Sequence, residues 1–292
     1  RLLPLAETNP APRAQLLNVN LIDLNRDGIQ EIVVSADLDG MPVSFILNYV
    51  DRQLKVMAKD LNFYLNVIKF PPTYTPLLVG QRPGVAGKLF DSSVNEVVRM
   101  SGEYKLGKRV AHPDGANVFN FVYLSQEGGD YKVIMVTDQD HLQVFTPKFE
   151  LQSSTSDQFA GSSLGFERPD TLGGFNANRN VHTVMYYLPL RLVTVNLDKN
   201  TKHELLVNKN VSVASQFFQR YRYFPEGEIH SLFWDGVGLS LGWKTRRIKG
   251  TVADYGVADV DNDGKPDLYV CANTFPGVSG FGERKTVLMT YA

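Results

Sequence analysis

Along the chain, short runs of Val, Ile, Leu, Phe and Tyr alternate with clusters of Gly, Pro, Asp and Asn, and helical spacing of apolar residues is nearly absent. That pattern predicts strands and turns. Clear strand candidates lie at 17–22, 32–36, 43–49, 118–124, 184–197, 205–207, 252–259 and 268–271. One helix is expected, over 212–222, where Ser212 supplies an N-cap and Val213, Phe217, Phe218 and Tyr221 form an apolar stripe.

The strand pattern repeats. Residues 18–36 (NVNLIDLNRDGIQEIVVSA) align closely with residues 251–272 (TVADYGVADVDNDGKPDLYVCA), and 190–207 is a weaker copy. Residues 118–136 keep the strand–turn–strand shape but lose most of the acids, and a copy around 66–79 has none in its turn. Each copy is followed by a second strand pair with a tight polar turn, so the unit is four strands and recurs five times.

Tandem four-stranded units predict an all-β protein, a β-propeller of antiparallel blades. One blade cannot bury both its faces, whereas stacked neighbours can. The blades fall near 12–60, 61–110, 111–165, 180–248 and 249–292, within a single domain spanning 1–292. Residues 1–7 read as an outer strand. This strand either completes the last blade, closing five, or ends a blade whose other strands lie upstream, giving six or seven.

Between the first and second strands of a unit, the best copies read D-x-(D/N)-x-D-G-x-x-(D/E). The residues are Asp23, Asn25, Asp27, Gly28 and Glu31 in one copy, and Asp259, Asp261, Asp263, Gly264 and Asp267 in the other. Oxygen ligands at positions 1, 3, 5 and 9 converge on a hard cation, with the backbone carbonyl of Ile29 or Lys265 at position 7. A carboxylate set without His or Cys favours Ca²⁺ over zinc or copper. An EF-hand would need Glu at position 12, where Val34 and Val270 stand instead, inside strands. One or two structural Ca²⁺ ions are expected. A third copy, with Asn196, Asp198, Asn200 and Glu204, has Thr201 in place of the Gly and is expected to bind weakly or not at all.

The segment VADVDNDGKPDLYV resembles the FG-GAP or VCBS-type repeat of integrin-like β-propellers, and IDLNRDGIQEIVV matches it too. Residues 229–248 followed by 253–270 are similar to the C-terminal propeller of bacterial repeat-containing envelope proteins. The resemblance implies a propeller with Ca²⁺ loops on one face and a non-enzymatic adhesive or binding role outside the cytoplasm. Blades two and three lack the acidic loop, which lowers the expected calcium content.

Composition narrows the function classes. The chain has 292 residues, 43% of them hydrophobic, and 30 basic residues face 31 acidic ones for a net charge of −1. The near balance argues against disorder and removes the electrostatic reason to expect broad nucleic-acid binding. No apolar run is long enough for a transmembrane helix. The single cysteine, Cys271, excludes an internal disulfide framework and Cys-rich metal sites. The chain begins at Arg1, which reads as a processed product or part of something longer.

Other constellations carry less. Gly161-Ser162-Ser163-Leu164-Gly165 fits the letters of a nucleophile elbow, but no helix pattern follows it. His112, His141, His182, His203 and His230 are scattered and read as turn or surface residues, and Trp234 and Trp243 read as packing residues between blades. The long connections between second and third strands carry Arg82, Phe90, Phe217, Arg220, Tyr221, Phe275, Phe281 and Arg284, the expected partner-binding residues.

The leading expectation is a non-catalytic, calcium-stabilised binding module for a protein or glycan partner, extracytoplasmic in the periplasm, at the outer membrane or outside the cell. The alternatives are a propeller enzyme acting on polysaccharide, as lyase or hydrolase, and a structural subunit of a surface polymer.

Overall fold

The computed structural model describes residues 4–85, 88–169, 183–197, 202–211, 222–274 and 285–291. The Gly- and Asp-rich turns fold the apolar runs back on one another, giving five successive antiparallel sheets and one extra hairpin. Among the described residues there is no α-helix, only one turn of 3-10 helix at Glu127–Gly129. The predicted helix at 212–222 lies outside them except for Arg222. Residues 1–3 of the predicted outer strand also lie outside, and 4–7 carry no strand. The chain divides into two compact units, each described by itself.

The first unit comprises Arg1–Phe119 and Gly165–Tyr186. Its first sheet runs β1 (Gln15–Ile22), β2 (Glu31–Leu38), β4 (Ser44–Val50), β5 (Gln53–Leu61), with the short β3 (Met41–Pro42) on β2. Its second sheet runs β6 (Tyr64–Phe70), β7 (Thr75–Gln81), β8 (Asn95–Met100), β9 (Glu103–Arg109). β2 explains why these sheets stack. Its run Ile-Val-Val is apolar without alternation, so both faces must be covered. Val33 packs with Phe63, just before β6, and with Leu65, Leu78 and Val97 of the second sheet. Val34 faces the other way, with Ala36, Phe45 and Leu47. Polar ties cross the same seam: the Leu65 amide donates to Ser35 Oγ at 3.1 Å, and Tyr64 Oη donates to the buried Asp37 at 2.7 Å.

The second unit comprises Asn120–Leu164 and Tyr187–Ala292. It opens with β10 (Phe121–Ser125), β11 (Tyr131–Val136), β12 (His141–Phe145) and β13 (Leu151–Gln158), paired in that order. The extra hairpin, β14 (Gly165–Pro169) with β15 (Thr183–Tyr187), comes next in the chain but belongs, up to Tyr186, to the first unit. Then come β16 (Val193–Val195), β17 (Glu204–Val211), β18 (Glu226–Trp234) and β19 (Leu239–Lys244), with β20 (Ile248–Lys249) also on β18. The last sheet has three strands among the described residues: β21 (Thr251–Ala258), β22 (Asp267–Thr274) and β23 (Lys285–Tyr291).

The same logic holds in β17. Leu205 and Val207 join Leu124, Ile134, Val136, Leu142 and Val144 of the preceding sheet. Leu206 points the opposite way into Val252, Tyr255, Leu268 and Val270 of the last sheet. Each such leucine contributes about 2 kcal/mol of hydrophobic burial. Strands buried on both faces thus fix the order of sheets within each unit. The antiparallel order also sets the ends: turns from first to second strand lie at one end of a sheet, and turns from second to third strand lie at the other.

Candidate functional site

Each acidic loop closes the first-to-second turn of its own sheet, and the two share one pattern of hydrogen bonds. The loop at 259–267 is built from the side chain of Asp259. Its two oxygens accept the amides of Asp263 and Gly264, both at 3.0 Å. Asp261 accepts the Asp263 amide at 3.1 Å, and Asp263 accepts the Lys265 amide at 2.8 Å. Buried Asp267, the first residue of β22, accepts the Val260 amide at 3.0 Å and ties the start of the loop to its end. These bonds bring carboxylate oxygens of Asp259, Asp261 and Asp267 within 4.8 Å of one another. Such a donor set fits a hard divalent cation. The loop at 23–31 repeats the pattern, with Glu31 accepting the Leu24 amide at 2.7 Å and Asn25 in place of Asp261. Of the third copy, Asp198, Asn200 and Thr201 lie outside the described residues. Glu204 still accepts the Leu197 amide at 3.2 Å, the same tie.

At the opposite end of the second unit, polar side chains gather around the segment that leaves β13. Asp140, in the turn between β11 and β12, is paired with Arg222, which precedes β18. Arg222 also stacks over the Tyr187 ring, its guanidinium carbon 4.6 Å from the centroid. Burial pushes the Asp140 carboxyl above its usual range, and the Arg222 charge opposes that rise without cancelling it. Beside this pair, the Nδ2 groups of Asn208 and Asn210 donate to the Gly161 carbonyl at 3.2 and 2.8 Å. The Leu190 amide donates to Ala160 O at 2.8 Å, which places Arg191 next to the same segment. Arg191 holds Asp254 of β21 through Nε at 2.6 Å and Nη2 at 2.9 Å. The register of β21 shifts between Val252 and Asp254, a bulge of the kind that re-aims a side chain.

A further charged cluster sits on β18. Glu228 and His230 are two residues apart, so they share a face. His230 Nε2 and Glu228 Oε2 are 2.8 Å apart, and the side chains are 8% and 7% exposed. Lys244 donates to the same carboxylate at 3.0 Å. Burial, opposed by Glu228, lowers the His230 pKa. Burial would raise that of Glu228, but hydrogen bonds from His230 and Lys244 outweigh it and hold it low.

With this geometry in view, one likeness in solved structures is informative. The structure of a β-fructofuranosidase from Schwanniomyces occidentalis, complexed with fructosyl-erythritol, matches 97% of this chain with a TM-score of 0.50 and 7% sequence identity. The fold is a five-bladed β-propeller. The chain spans 61% of the length of that enzyme. No protein-family model matches the chain, and no curated protein is similar to it in sequence.

The propeller likeness corrects one expectation. The reading of a non-catalytic binding module, with no enzymatic activity, is overturned because the same architecture, matched over nearly the whole chain, is that of an enzyme. The physical reason is general. A propeller draws side chains that act together from different blades, so no contiguous motif marks them. The resemblance to FG-GAP or VCBS repeats reaches the propeller fold, and no family model carries it further.

The expected partner residues scatter. Arg82 is exposed. Phe90 instead packs inside an aromatic cluster of the first unit, with ring centroids 5.6 Å from Tyr64 and 5.1 Å from Tyr186. Phe217, Arg220, Tyr221, Phe275, Phe281 and Arg284 lie outside the described residues. Ser162 is no nucleophile: its hydroxyl is buried, donates to the Leu188 carbonyl and accepts the Leu164 amide, and a strand follows it. Trp234 packs in the core of the second unit as expected, but Trp243 is exposed on β19.

Sequence reasoning missed Asp140, Arg191 and Asp254, placed Arg222 only at the end of an expected helix, and read the buried His230 as a turn or surface residue. The one available signal was position, since Arg191 and Asp254 each stand five residues before the first acidic-loop position of their repeat, Asn196 and Asp259. Asn18 is the counterpart in the first repeat. Its Nδ2 donates to Asn66 Oδ1 at 2.9 Å, which makes this repeat position polar in both units.

Among the described residues, no helix is long and apolar enough to cross a membrane.

Proposed function

We propose that the chain is a propeller-type enzyme that hydrolyses a glycosidic bond and works outside the cytoplasm. The observation that carries this reading is the likeness over 97% of the chain to a β-fructofuranosidase. The chemistry of the second unit supports it. Glycoside hydrolysis needs one carboxyl group that holds a proton and a second on the other side of the bond. Asp140, raised by burial, suits the proton-holding role. Asp254, fixed in one orientation by two hydrogen bonds from Arg191, is the second candidate.

The acidic loops have a separate task in this proposal. Asp259, Asp261, Asp263 and Asp267, with the Lys265 carbonyl, hold one structural Ca²⁺. Asp23, Asn25, Asp27 and Glu31, with the Ile29 carbonyl, hold a second more weakly. The FG-GAP-like spacing of these loops supports the assignment, and millimolar free Ca²⁺ outside the cytoplasm suits loops of modest affinity.

The test is release of reducing sugar from a panel of fructosides and other glycosides. Wild-type protein is expected to turn over at least one. Asp140→Asn should lower kcat/KM by about a hundredfold or more. In the wild type, activity should fall as pH rises through the elevated Asp140 range, because the proton donor is lost. A panel with no turnover, or turnover unchanged in both Asp140→Asn and Asp254→Asn, would overturn the reading.

A further inference from the structure

The outer edge of the fourth blade differs in charge from the chain as a whole. Between Asp235 and Asp254 there is no acidic residue, while Lys244, Arg246, Arg247 and Lys249 fall within six positions. The whole chain has a net charge of −1. Residues 239–249 run beside β18: β19 pairs with its second half and β20 with its start. They therefore form one continuous border of the sheet. Its apolar members are unusually open, with Leu241 50% and Trp243 38% exposed. Gly242 between them adds no side chain to the strand. Two of the four cations are partly offset, Lys244 by Glu228 at 3.0 Å and Arg247 by Glu226 at 3.2 Å. Glu228 is buried, so its charge is turned inward, while Arg246 and Lys249 are exposed.

We infer that this edge, 239–249, is an accessory binding site for an acidic polysaccharide, with Trp243 stacking on a sugar ring and Arg246 and Lys249 meeting its carboxylates. The inference rests on the carbohydrate-enzyme reading above, and it names the substrate class: a polymer of uronic acid character rather than a neutral glycan. Charge complementarity favours a polyanion. An indole face between cations on a strand edge suits a ring with an apolar side and charged substituents. A nucleic acid is the poorer fit, because the basic residues occupy one strand edge of a protein with near-zero net charge. A membrane is also the poorer fit, because the register shift between Leu241 and Trp243, which pair with adjacent residues of β18, turns them to opposite faces of the sheet instead of one continuous apolar face.

The experiment is retention on immobilised polygalacturonate, with neutral dextran, duplex DNA and anionic phosphatidylglycerol vesicles as comparators. Wild-type protein should be held by polygalacturonate, ignored by dextran, and released by about 0.5 M salt as the charges are screened. Trp243→Ala and Arg246→Glu should each weaken retention about tenfold, the equivalent of one good contact. Both side chains are exposed, so the melting temperature and turnover of a small glycoside should not change. No retention of the wild type, retention of both variants equal to that of the wild type, or stronger capture by DNA or vesicles would sink the inference. Turnover of a small glycoside without polymer retention removes this site and leaves the enzyme reading intact. Polymer retention without turnover of any glycoside removes the enzyme reading instead.

Discussion

The acidic loop at 23–31 in the first unit and the one at 259–267 in the second share a backbone and differ in charge. In both, the position-5 amide is taken by the position-1 carboxylate, at 3.2 Å for Asp27 on Asp23 and 3.0 Å for Asp263 on Asp259. In both, the fourth residue has a left-handed φ of 62°, at Arg26 and Asn262, and a glycine follows two positions later. The contrast is at position 3. Asn25 donates from Nδ2 to Asp27 at 2.8 Å, so one amide bridges the first loop without an ion. Asp261 has no proton to donate, and it stands within 4.8 Å of Asp259 and Asp267. The second turn is therefore closed chiefly by backbone-to-carboxylate bonds, with an exposed ion pair from Lys265 Nζ to Asp263 at 3.3 Å beside them. The second loop carries four carboxylates against three in the first, and so the greater concentration of charge for a cation to relieve.

The largest expected effect tests what the two loops share. Glu31 and Asp267 are 1% and 5% exposed, and each accepts an amide from the start of its loop. Glu31→Ala and Asp267→Ala should each cost about 2–3 kcal/mol in chemical denaturation, because a buried partner of a backbone amide is lost. A cost below about 0.5 kcal/mol in either would show that the turn holds without its anchor.

The next effect tests the difference. Calcium at tenfold above its dissociation constant should stabilise the wild type by about 1.4 kcal/mol, and a chelator should remove that gain. Asp261→Asn gives the second loop the neutral amide of the first, and most of the calcium response should disappear with it. Asn25→Asp makes the reverse change: stability without calcium should drop slightly and the response to calcium should grow. Equal responses in the two variants, followed by thermal melting with and without chelator, would mean that charge at position 3 does not separate the loops.

How far the sequence carries can be judged on the same residues. The acidic loops were legible because their bonds are local. Each donor and acceptor lies within seven residues, so spacing alone specifies the contacts. The blades were legible because Val33–Val34 and Leu205–Leu206 are apolar on both strand faces, which only stacked sheets can satisfy. The polar cluster of the second unit was not legible. Asp140 and Arg222 are 82 positions apart, and Arg191 and Asp254 are 63 apart. Those contacts depend on how blades meet, and no local rule reports it. His230 was misread for a related reason: its partner Glu228 is close in sequence, but Phe159, which packs against its ring with centroids 5.6 Å apart, is remote in the chain.

The smallest expected effect asks whether the shared backbone carries the same strain in both loops. Gly28 and Gly264 have φ of 86° and 83°, and a Cβ added to either would meet nothing within 4 Å. Crowding is absent, so Gly28→Ala and Gly264→Ala should each cost only the left-handed conformational penalty, about 1 kcal/mol. Without calcium the two costs should be equal, because φ and surroundings match. With calcium, Gly264→Ala should cost more than Gly28→Ala. An ion held by Asp259, Asp261 and Asp267 ties the backbone to one conformation, so strain that the free loop sheds by shifting would persist. The measurement is a denaturant midpoint for both variants, with calcium and with chelator. A cost at Gly264 that does not change with calcium would separate the ion from the turn, leaving position 3 as a matter of charge alone.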